Sequence, residues 1–446
     1  MDKDTYIAIA EEIAADIEAG RMKPGARLLP QREFAYRRGI APSTAARVYE
    51  VLHRRGLVVG EVGRGTFVRS MPGAGVDALA GPAATPVDLE LNYSILPGQA
   101  DLIAKSLRRL MTTDAFATAL KPTGGTLPEV WRAAIARQIG RGGWTPALES
   151  LLFAGTGRQA IAAALAALVP PGCRVGVEAQ TYPVMLGIAR HLNLDVVPIE
   201  IDGEGMVPKR LAAAHRAAPL KAVYLQPHLH NPLGLSMGPA RRQAMAGTLR
   251  ELGLTAIEDA IYGFLVDEPP LAALAPDHVV LIDSFSKRLA PGMTLGILSA
   301  PPRLAAAAQR AIRTGAWAHG GFAAAAIAGL VLDGTVARLE TEKREDARAR
   351  QTLARRCLAG CELAGDPRAY HLMLILPGHW RAEEFVAAAA REGIATVSAR
   401  AFAVAGGHAP NGVRLALASA PMERLEAALT RLRELALSPP EPADVG

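Results

Sequence analysis

The sequence has few cysteines and lacks long uninterrupted apolar runs. Three cysteines in 446 residues cannot staple a chain of this size, which favours a reducing compartment. No apolar run reaches the ~18 residues that a membrane-spanning helix needs. The N-terminal Met1-Asp2-Lys3-Asp4 does not have the pattern of a signal peptide. These absences predict a soluble, cytoplasmic protein with no membrane partner.

The length and composition predict several domains. Half of the residues are hydrophobic and 21% are charged, which suits a large core and excludes a disordered chain. Residues 71–87 are rich in Gly, Pro and Ala without periodicity, and they predict a flexible linker between a head (1–70) and a body (88–440). Within the body we expect a large lobe over about 115–325, and a small lobe over about 326–440 together with 88–114. No internal repeat is found.

The net charge of +6 is unevenly distributed along the chain. Residues 1–20 carry one lysine and six acids, whereas residues 21–69 carry eleven lysines and arginines and only three acids. Such a basic block is typical of a polyanion-binding surface, although a solvated basic surface has the same composition.

The head has the pattern of a winged helix-turn-helix. Apolar spacing and turn residues predict helices over 6–17, 30–37 and 44–54, then short strands over 57–60 and 65–68. Ser43, after Pro42, is the expected N-cap of the third helix. Gly63-Arg64-Gly65 lies between the strands as the tip of the wing.

Residues 5–69 resemble the DNA-binding domain of the GntR family of bacterial regulators. The resemblance is carried by Lys23-Pro24-Gly25, Gln31-Arg32-Glu33-Phe34-Ala35, Ser43-Thr44, Arg47-Val48-Tyr49 and Gly63-Arg64-Gly65-Thr66-Phe67-Val68. It implies that the third helix enters the major groove of double-stranded operator DNA. The residues that would contact DNA are Arg32, Ser43, Thr44, Arg47, Arg64 and Gly65. Leu29 stands where the family usually has proline.

The body predicts an α/β fold with a mainly parallel sheet. Apolar segments alternate with Ala-rich helical stretches, as in βαβ units. The predicted strands cover 151–154, 174–178, 195–199, 222–226, 255–258, 279–283 and 294–299.

Several of these strands are followed by residues suited to cofactor chemistry. A lysine that forms a Schiff base needs a lowered pKa and a fixed cofactor, and Lys287 follows a strand in Ser284-Phe285-Ser286-Lys287. Asp259 ends another strand, where a carboxylate can pair with a protonated pyridine nitrogen. Thr156-Gly157-Arg158 opens a helix, whose free N–H groups can hold phosphate.

Together these residues resemble a fold-type I, pyridoxal-phosphate-dependent aminotransferase over roughly 88–437. The resemblance implies that Lys287 carries the cofactor as a Schiff base and that Asp259 pairs with its pyridinium. It further implies a ring hydroxyl bound by Asn231 and Tyr262, and a ring stacked on Tyr182. The phosphate would be surrounded by Thr156, Gly157, Arg158, Ser284 and Ser286. Arg414 would receive the α-carboxylate of an effector.

Two departures weaken the expected phosphate site. The family has an arginine seven residues after the lysine, and here that position is Thr294. The tyrosine that a partner subunit often contributes is also not evident, since no tyrosine lies between Tyr93 and Tyr182. Either Arg158 or Arg288 is near enough in sequence to supply the missing charge.

A GntR-like head joined to an aminotransferase-like body resembles the MocR/GabR regulators over the whole chain. The resemblance implies a homodimeric DNA-binding regulator that binds pyridoxal phosphate at Lys287 and uses its aminotransferase-like fold for sensing and not for turnover. It would sense an amino acid or amine by exchange of the Schiff base. The alternatives are an active aminotransferase and a regulator whose body binds ligand without the cofactor. Cys357 and Cys361 lie one helical turn apart with no nearby histidine pair, so no metal site is expected.

Overall fold

The computed structural model describes residues 5–18, 21–22, 27–54, 57–61, 65–68, 85–112, 114–121, 126–404 and 409–440. They fall into two compact units, one within residues 1–81 and one from residue 82 onward. Most of the expected linker, residues 71–84, lies outside the described residues, as do Gly20 and Arg64.

The N-terminal unit has three helices and a two-stranded hairpin. They are α1 (Thr5–Glu18), α2 (Gln31–Arg38), α3 (Pro42–Arg54), β1 (Val58–Glu61) and β2 (Gly65–Val68). The strands are antiparallel, with Val58 opposite Val68. The apolar faces of the helices meet in a core that includes Ala10, Phe34 and Leu52. The structure therefore has the predicted winged helix-turn-helix.

Proline and glycine set the ends of α2 and α3. Gly39 ends α2 with a φ of 61°, the left-handed conformation that glycine adopts without steric cost. The prediction that Ser43 caps α3 is wrong, because the helix already begins at Pro42. Proline fits the first turn of a helix since the N–H that it lacks would have no intrahelical partner there. Ser43 therefore lies within the first turn.

The strands of the C-terminal unit form one large sheet, one small sheet and short pairs. They are β3 (Val87–Asp88), β4 (Leu151–Ala154), β5 (Arg174–Glu178), β6 (Asp195–Ile199), β7 (Ile201–Asp202), β8 (Gly205–Met206), β9 (Ala222–Leu225), β10 (Thr255–Asp259), β11 (Val279–Ser284), β12 (Gly296–Ser299), β13 (Glu362–Ala364), β14 (His371–Ile375), β15 (Ile394–Ala395), β16 (Val397–Ser398) and β17 (Gly412–Ala416).

The large sheet has seven strands in the order β4-β12-β11-β10-β9-β5-β6. All neighbouring pairs are parallel except those of β12, which runs antiparallel to β11 and β4. The prediction of a mainly parallel sheet is confirmed, and each predicted strand agrees with the observed one to within two residues at either end.

Helices cover the sheet and complete the unit. They are α4 (Gln99–Met111), α5 (Asp114–Ala119), α6 (Glu129–Ile139), α7 (Gly157–Leu168), α8 (Pro183–His191), α9 (Pro208–Ala217), α10 (Pro239–Leu252), α11 (Leu271–Leu274), α12 (Phe285–Arg288), α13 (Pro302–Thr314), α14 (Gly321–Leu332), α15 (Thr335–Cys357), α16 (Ala382–Arg391) and α17 (Met422–Leu437). One face of the sheet packs in a core cluster that includes Leu165 and Val177. The other face packs in a cluster that includes Leu225 and Met245. None of the described helices is by itself long and apolar enough to span a bilayer; α14 and α15 pass that test only as a pair, bent by 75°.

The small sheet packs near the C-terminus of the chain. Its strands are antiparallel in the order β13-β14-β17-β16, and they pack on α15, α16 and α17. Beside it, β3 pairs in parallel with β15, so that Val87 lies opposite Ile394. Val87, the last residue of the expected linker, is thus built into this part of the unit.

Gly296 allows β12 to approach the start of α7, and a Cβ there would lie 2.1 Å from the carbonyl oxygen of Thr156. Because that atom is main chain, we expect Gly296→Ala to destabilise the body by at least about 2 kcal/mol. Gly247→Ala is the matched control, since it meets open space on α10 and gains helix propensity, worth about 0.5–1 kcal/mol. Urea unfolding of the full chain measures the free energy of unfolding of both variants. Equal changes in the two variants would contradict the close approach of β12 to α7.

Candidate cofactor and effector site

Three predicted site segments follow adjacent parallel strands of the large sheet. Strands β9, β10 and β11 lie side by side, with Ile257 of β10 opposite Tyr224 and Val280. The carboxyl ends of parallel strands meet at one edge of a sheet, which is where open α/β sheets bind ligands. This register brings Asn231, Asp259 and Lys287 to the same edge.

Lys287 lies in α12 with a partly buried side chain. Its Nζ donates a 2.6 Å hydrogen bond to the carbonyl of Asn92 and lies 3.4 Å from the centre of the Tyr93 ring. Burial lowers the pKa of Lys287 well below its ordinary value, and the charges of Arg414 and Arg158 lower it further. The lowered pKa favours the neutral amine, which is the form that attacks a carbonyl group.

Asp259 is a buried carboxylate at the end of β10. It accepts hydrogen bonds from the Tyr224 hydroxyl at 2.5 Å, from Gln226 Nε2 at 3.3 Å and from the main-chain N–H of Ile261 at 3.1 Å. Burial raises the pKa of Asp259 to about 6, although these donors partly oppose the shift. All three donors are uncharged, so this carboxylate can still pair with a cation.

Arg414 lies on β17, buried next to Asn231. Its guanidinium donates to Asn231 Oδ1 at 3.1 Å and to the main-chain carbonyl of Glu90, while its Nε has no partner among the described residues. The Phe402 ring centre is 5.1 Å away. Burial lowers the pKa of Arg414, which is the direction expected for a cation that lacks a direct carboxylate partner.

Tyr182 and Arg158 form a hydrogen-bonded pair in the pocket that contains Lys287 and Asp259. Arg158 Nε donates to the Tyr182 hydroxyl at 3.2 Å. Tyr182 raises the pKa of Arg158, and Tyr93 contributes in the same direction. Burial raises the pKa of Tyr182 to about 12, so its hydroxyl stays neutral.

Hydroxyl groups and the start of α7 form a cradle beside this pocket. Ser284 Oγ lies 3.0 Å from Thr294 Oγ1 and donates to Ser286 Oγ at 3.3 Å. Thr156 is the N-cap of α7, where it accepts from the N–H of Gln159. A Cβ at Gly157 would lie 3.0 Å from the Cβ of Ser284. The helix start and the hydroxyls therefore lie in close contact, which suits an anion.

Arg288 does not belong to this cradle. Its guanidinium donates to Asp283 Oδ2 at 2.5 Å and to Glu340, and all three side chains are buried. The prediction that Arg288 supplies a phosphate charge is not supported, because both carboxylates already neutralise it inside the core.

The sequence patterns missed several residues of the site. Asn92 Nδ2 donates to the Tyr262 hydroxyl at 3.1 Å, and Tyr93 covers Lys287. Lys343 is buried and donates to the carbonyls of Ser94, Lys287 and Leu289 at 2.7–3.1 Å, with its pKa lowered by burial to about 8. Tyr224, which bonds Asp259, was also missed. Among these missed residues only Tyr224 had a sequence signal, because it is a polar aromatic residue inside the apolar strand β9.

The residues around Lys287 fit pyridoxal phosphate. That cofactor needs a lysine amine, an acid for its ring nitrogen and donors for its phosphate. Lys287 has the lowered pKa, Asp259 is a buried acid with only neutral donors, and a Cβ at Gly157 would come within 3.0 Å of Ser284 in the cradle.

The N-terminal unit presents the predicted DNA-contacting residues on α2 and α3. Ser43, Thr44 and Arg47 lie along the first turns of α3, with Ser43 and Arg47 exposed and Thr44 half-buried. Arg32 is exposed on α2, and Gly65 begins β2. The Arg47 guanidinium lies 5.9 Å from the Tyr6 ring centre. Arg64 lies outside the described residues.

Among the described residues, no cluster of three or more His, Cys, Asp or Glu side chains could hold a metal ion. Cys357 and Cys361 are free thiols there.

Two family models match the chain. Residues 5–68 match the bacterial regulatory proteins of the gntR family, and residues 109–432 match aminotransferase class I and II. YdeF of Bacillus subtilis, an HTH-type transcriptional regulator, is 31% identical over 97% of this chain and 95% of its own. PtsJ of Salmonella typhimurium, described as a vitamin B6 salvage pathway transcriptional repressor, is 27% identical over 67% of this chain and 68% of its own.

Solved structures agree with the fold of the body. LysN, an α-aminoadipate aminotransferase of Thermus thermophilus, superposes with a TM-score of 0.71 at 21% identity. The match covers 81% of this chain and 93% of that one. The C-terminal unit thus has the fold-type I aminotransferase fold.

Proposed function

The chain belongs to the MocR-type GntR transcriptional regulators, with a winged helix-turn-helix head and an aminotransferase class I and II body, and from this premise we propose that the body binds pyridoxal phosphate at Lys287 and senses a carboxylate-bearing amino acid or amine. The observation that carries the proposal is the meeting of Lys287, Asp259 and Arg414 in one pocket. The regulator would act in the cytoplasm.

The residues that would hold the cofactor are those of the pocket and its cradle. When bound, pyridoxal phosphate supplies an electrophilic carbon that captures primary amines. Lys287 presents an amine whose pKa is lowered by burial, and Asp259 presents a carboxylate to a ring nitrogen. Tyr182 offers a neutral ring for stacking, while Asn231 and Tyr262 would bind the ring hydroxyl.

Arg158 is the residue that we assign to the phosphate in place of the usual arginine. Arg288 is held by Asp283 and Glu340, and Thr294 bonds Ser284. Arg158 follows Gly157 at the start of α7, so its charge adds to that of the free N–H groups. The remaining donors of the cradle are Thr156, Ser284 and Ser286.

Arg414 is the residue that we assign to the effector carboxylate. Its guanidinium is buried, its Nε has no partner among the described residues, and a carboxylate would satisfy two of its N–H groups at once. The name of the relative PtsJ, a vitamin B6 salvage pathway repressor, supports a body that responds to this cofactor chemistry.

A second copy of the chain is the partner that the exposed apolar side chains support. Helix α14 packs on α4, α5 and α6, and this group of helices leaves large apolar residues exposed. They are Met111, Leu120, Val130, Phe322 and Leu332. Clustered exposed apolar residues are typical of an interface, so we infer a homodimer.

Addition of pyridoxal phosphate tests the cofactor proposal. The full chain should develop the visible absorbance band of a lysine-linked cofactor, and borohydride should remove it. Lys287→Ala should give no band, whereas Lys343→Ala keeps the nucleophile and should give one. A colourless wild-type protein after reconstitution would instead favour a body that binds ligand without the cofactor.

A charge swap tests the assignment of Arg158. We expect Arg158→Ala to weaken pyridoxal phosphate binding by about 10- to 100-fold, as for loss of one hydrogen bond to a charged group. Thr294→Arg added to that variant should restore much of the affinity, because position 294 lies beside Ser284. Arg190→Ala, an exposed arginine on α8, is the control. Unchanged affinity in Arg158→Ala would refute the assignment.

Arg47 should contribute to operator binding. With duplex DNA selected in vitro by the full chain, Arg47→Ala should weaken binding by about 5- to 100-fold. If the contact is to phosphate, the slope of log K against log salt should also fall by about one. Arg21→Ala, an exposed arginine paired with Asp16, serves as control. Equal affinities of the two variants would contradict the assigned role of Arg47.

A further inference from the structure

One short segment is hydrogen-bonded to both Lys287 and Arg414, two of the charged residues assigned to ligand binding. We propose that Glu90–Tyr93, here called the strap, is an internal ligand of the pocket that an effector displaces. The inference rests on the function proposed above, and it concerns the regulation of that same pocket.

At Arg414, the strap supplies a main-chain hydrogen-bond acceptor. The carbonyl of Glu90 accepts a hydrogen bond from the Arg414 guanidinium. A carboxylate forms charge-assisted bonds with a guanidinium that are roughly twice as strong as bonds to a neutral acceptor. An effector carboxylate at Arg414 would therefore compete successfully with the Glu90 carbonyl.

At Lys287, the strap makes two further contacts. The carbonyl of Asn92 accepts from Lys287 Nζ at 2.6 Å, and the Tyr93 ring lies 3.4 Å from the same atom. The Asn92 side chain also donates to the Tyr262 hydroxyl at 3.1 Å. Three predicted ligand-binding residues, Lys287, Tyr262 and Arg414, are thus in contact with one four-residue segment.

The strap is anchored at both ends, and Asp88 Oδ1 accepts from the N–H groups of Glu90 and Leu91 at 2.7 and 3.0 Å. On one side Leu89 is buried and main-chain bonded to Ala395 and Ala416, and on the other Ser94 bonds Lys343 and Asp346. Between them, the exposed Ser419 hydroxyl donates to the Leu91 carbonyl at 2.6 Å and accepts from the Tyr93 N–H at 3.1 Å. Ser419 therefore fastens the strap without touching the pocket residues.

The strap gives the pocket two states, one with the Glu90 carbonyl bonded to Arg414 and one with that carbonyl displaced by an effector. A ligand shifts an equilibrium only through its different affinity for two states, and a displaced carbonyl gives the effector such a difference. The cofactor alone carries no carboxylate for Arg414, so release of the Glu90 contact would require the effector.

Two probes that differ in one carboxylate test the strap. Pyridoxamine 5′-phosphate fills the cofactor site only, whereas N-(5′-phosphopyridoxyl)-L-alanine also presents a carboxylate to Arg414. By hydrogen exchange of the full chain, we expect residues 90–93 to exchange at least about 5-fold faster with the alanine conjugate than with pyridoxamine phosphate. Equal exchange rates with both probes bound would overturn the proposal, and this measurement needs no variant.

Ser419→Ala provides the matched test of affinity. Loosening the strap should tighten binding of the alanine conjugate by about 3- to 10-fold, the range of one lost hydrogen bond, and leave pyridoxamine phosphate binding unchanged. Thr430→Ala is the control, because that exposed hydroxyl bonds only its own helix. An unchanged ratio of the two affinities in Ser419→Ala would refute the proposed role of the strap and leave the proposed function intact. Failure of both probes to bind the wild type would overturn the proposed function itself.

Discussion

The parallel register of β9, β10 and β11 is the constraint on which the pocket depends. Because these strands are adjacent and point the same way, the segments after them meet at one edge and bring Asn231, Asp259 and Lys287 together. The segment that leads into the antiparallel strand β12 places Thr294 beside Ser284. The first residue of β12, Gly296, has no side chain to separate β12 from the start of α7. The anion cradle and the lysine pocket therefore result from one sheet topology.

Three buried basic side chains line the pocket. Lys287, Lys343 and Arg414 lack a direct carboxylate partner at hydrogen-bond distance among the described residues, and burial lowers the pKa of each. Buried cations are costly unless they are hydrogen-bonded, and main-chain carbonyls within residues 90–94 bond all three. A ligand with a phosphate and a carboxylate would add the negative charge that these carbonyls only partly replace. The electrostatics and the strap thus point to the same class of ligand.

Much of the fold and of the site could be predicted from sequence, because local signals set them. The strands are short apolar segments between turn residues, and Lys287 and Asp259 stand at strand ends in recognisable motifs. Arg288 was misassigned because one of its partners, Glu340, lies 52 residues away in sequence. Ser43 was misassigned because Pro42 also tolerates the first helical turn. The strap was missed because main-chain carbonyls have no sequence signature.

A sensor and an enzyme place different demands on the same pocket. An enzyme gains from ligand contacts that strengthen in the transition state, whereas a regulator needs contacts that differ between two conformations of the chain. A fixed acceptor in front of Arg414 would only weaken effector binding in an enzyme. In a regulator the same acceptor is useful, because the effector carboxylate replaces a weaker neutral partner and thereby frees a segment outside the ligand. The GntR head and the displaceable acceptor at Arg414 together favour the regulatory interpretation of this aminotransferase fold.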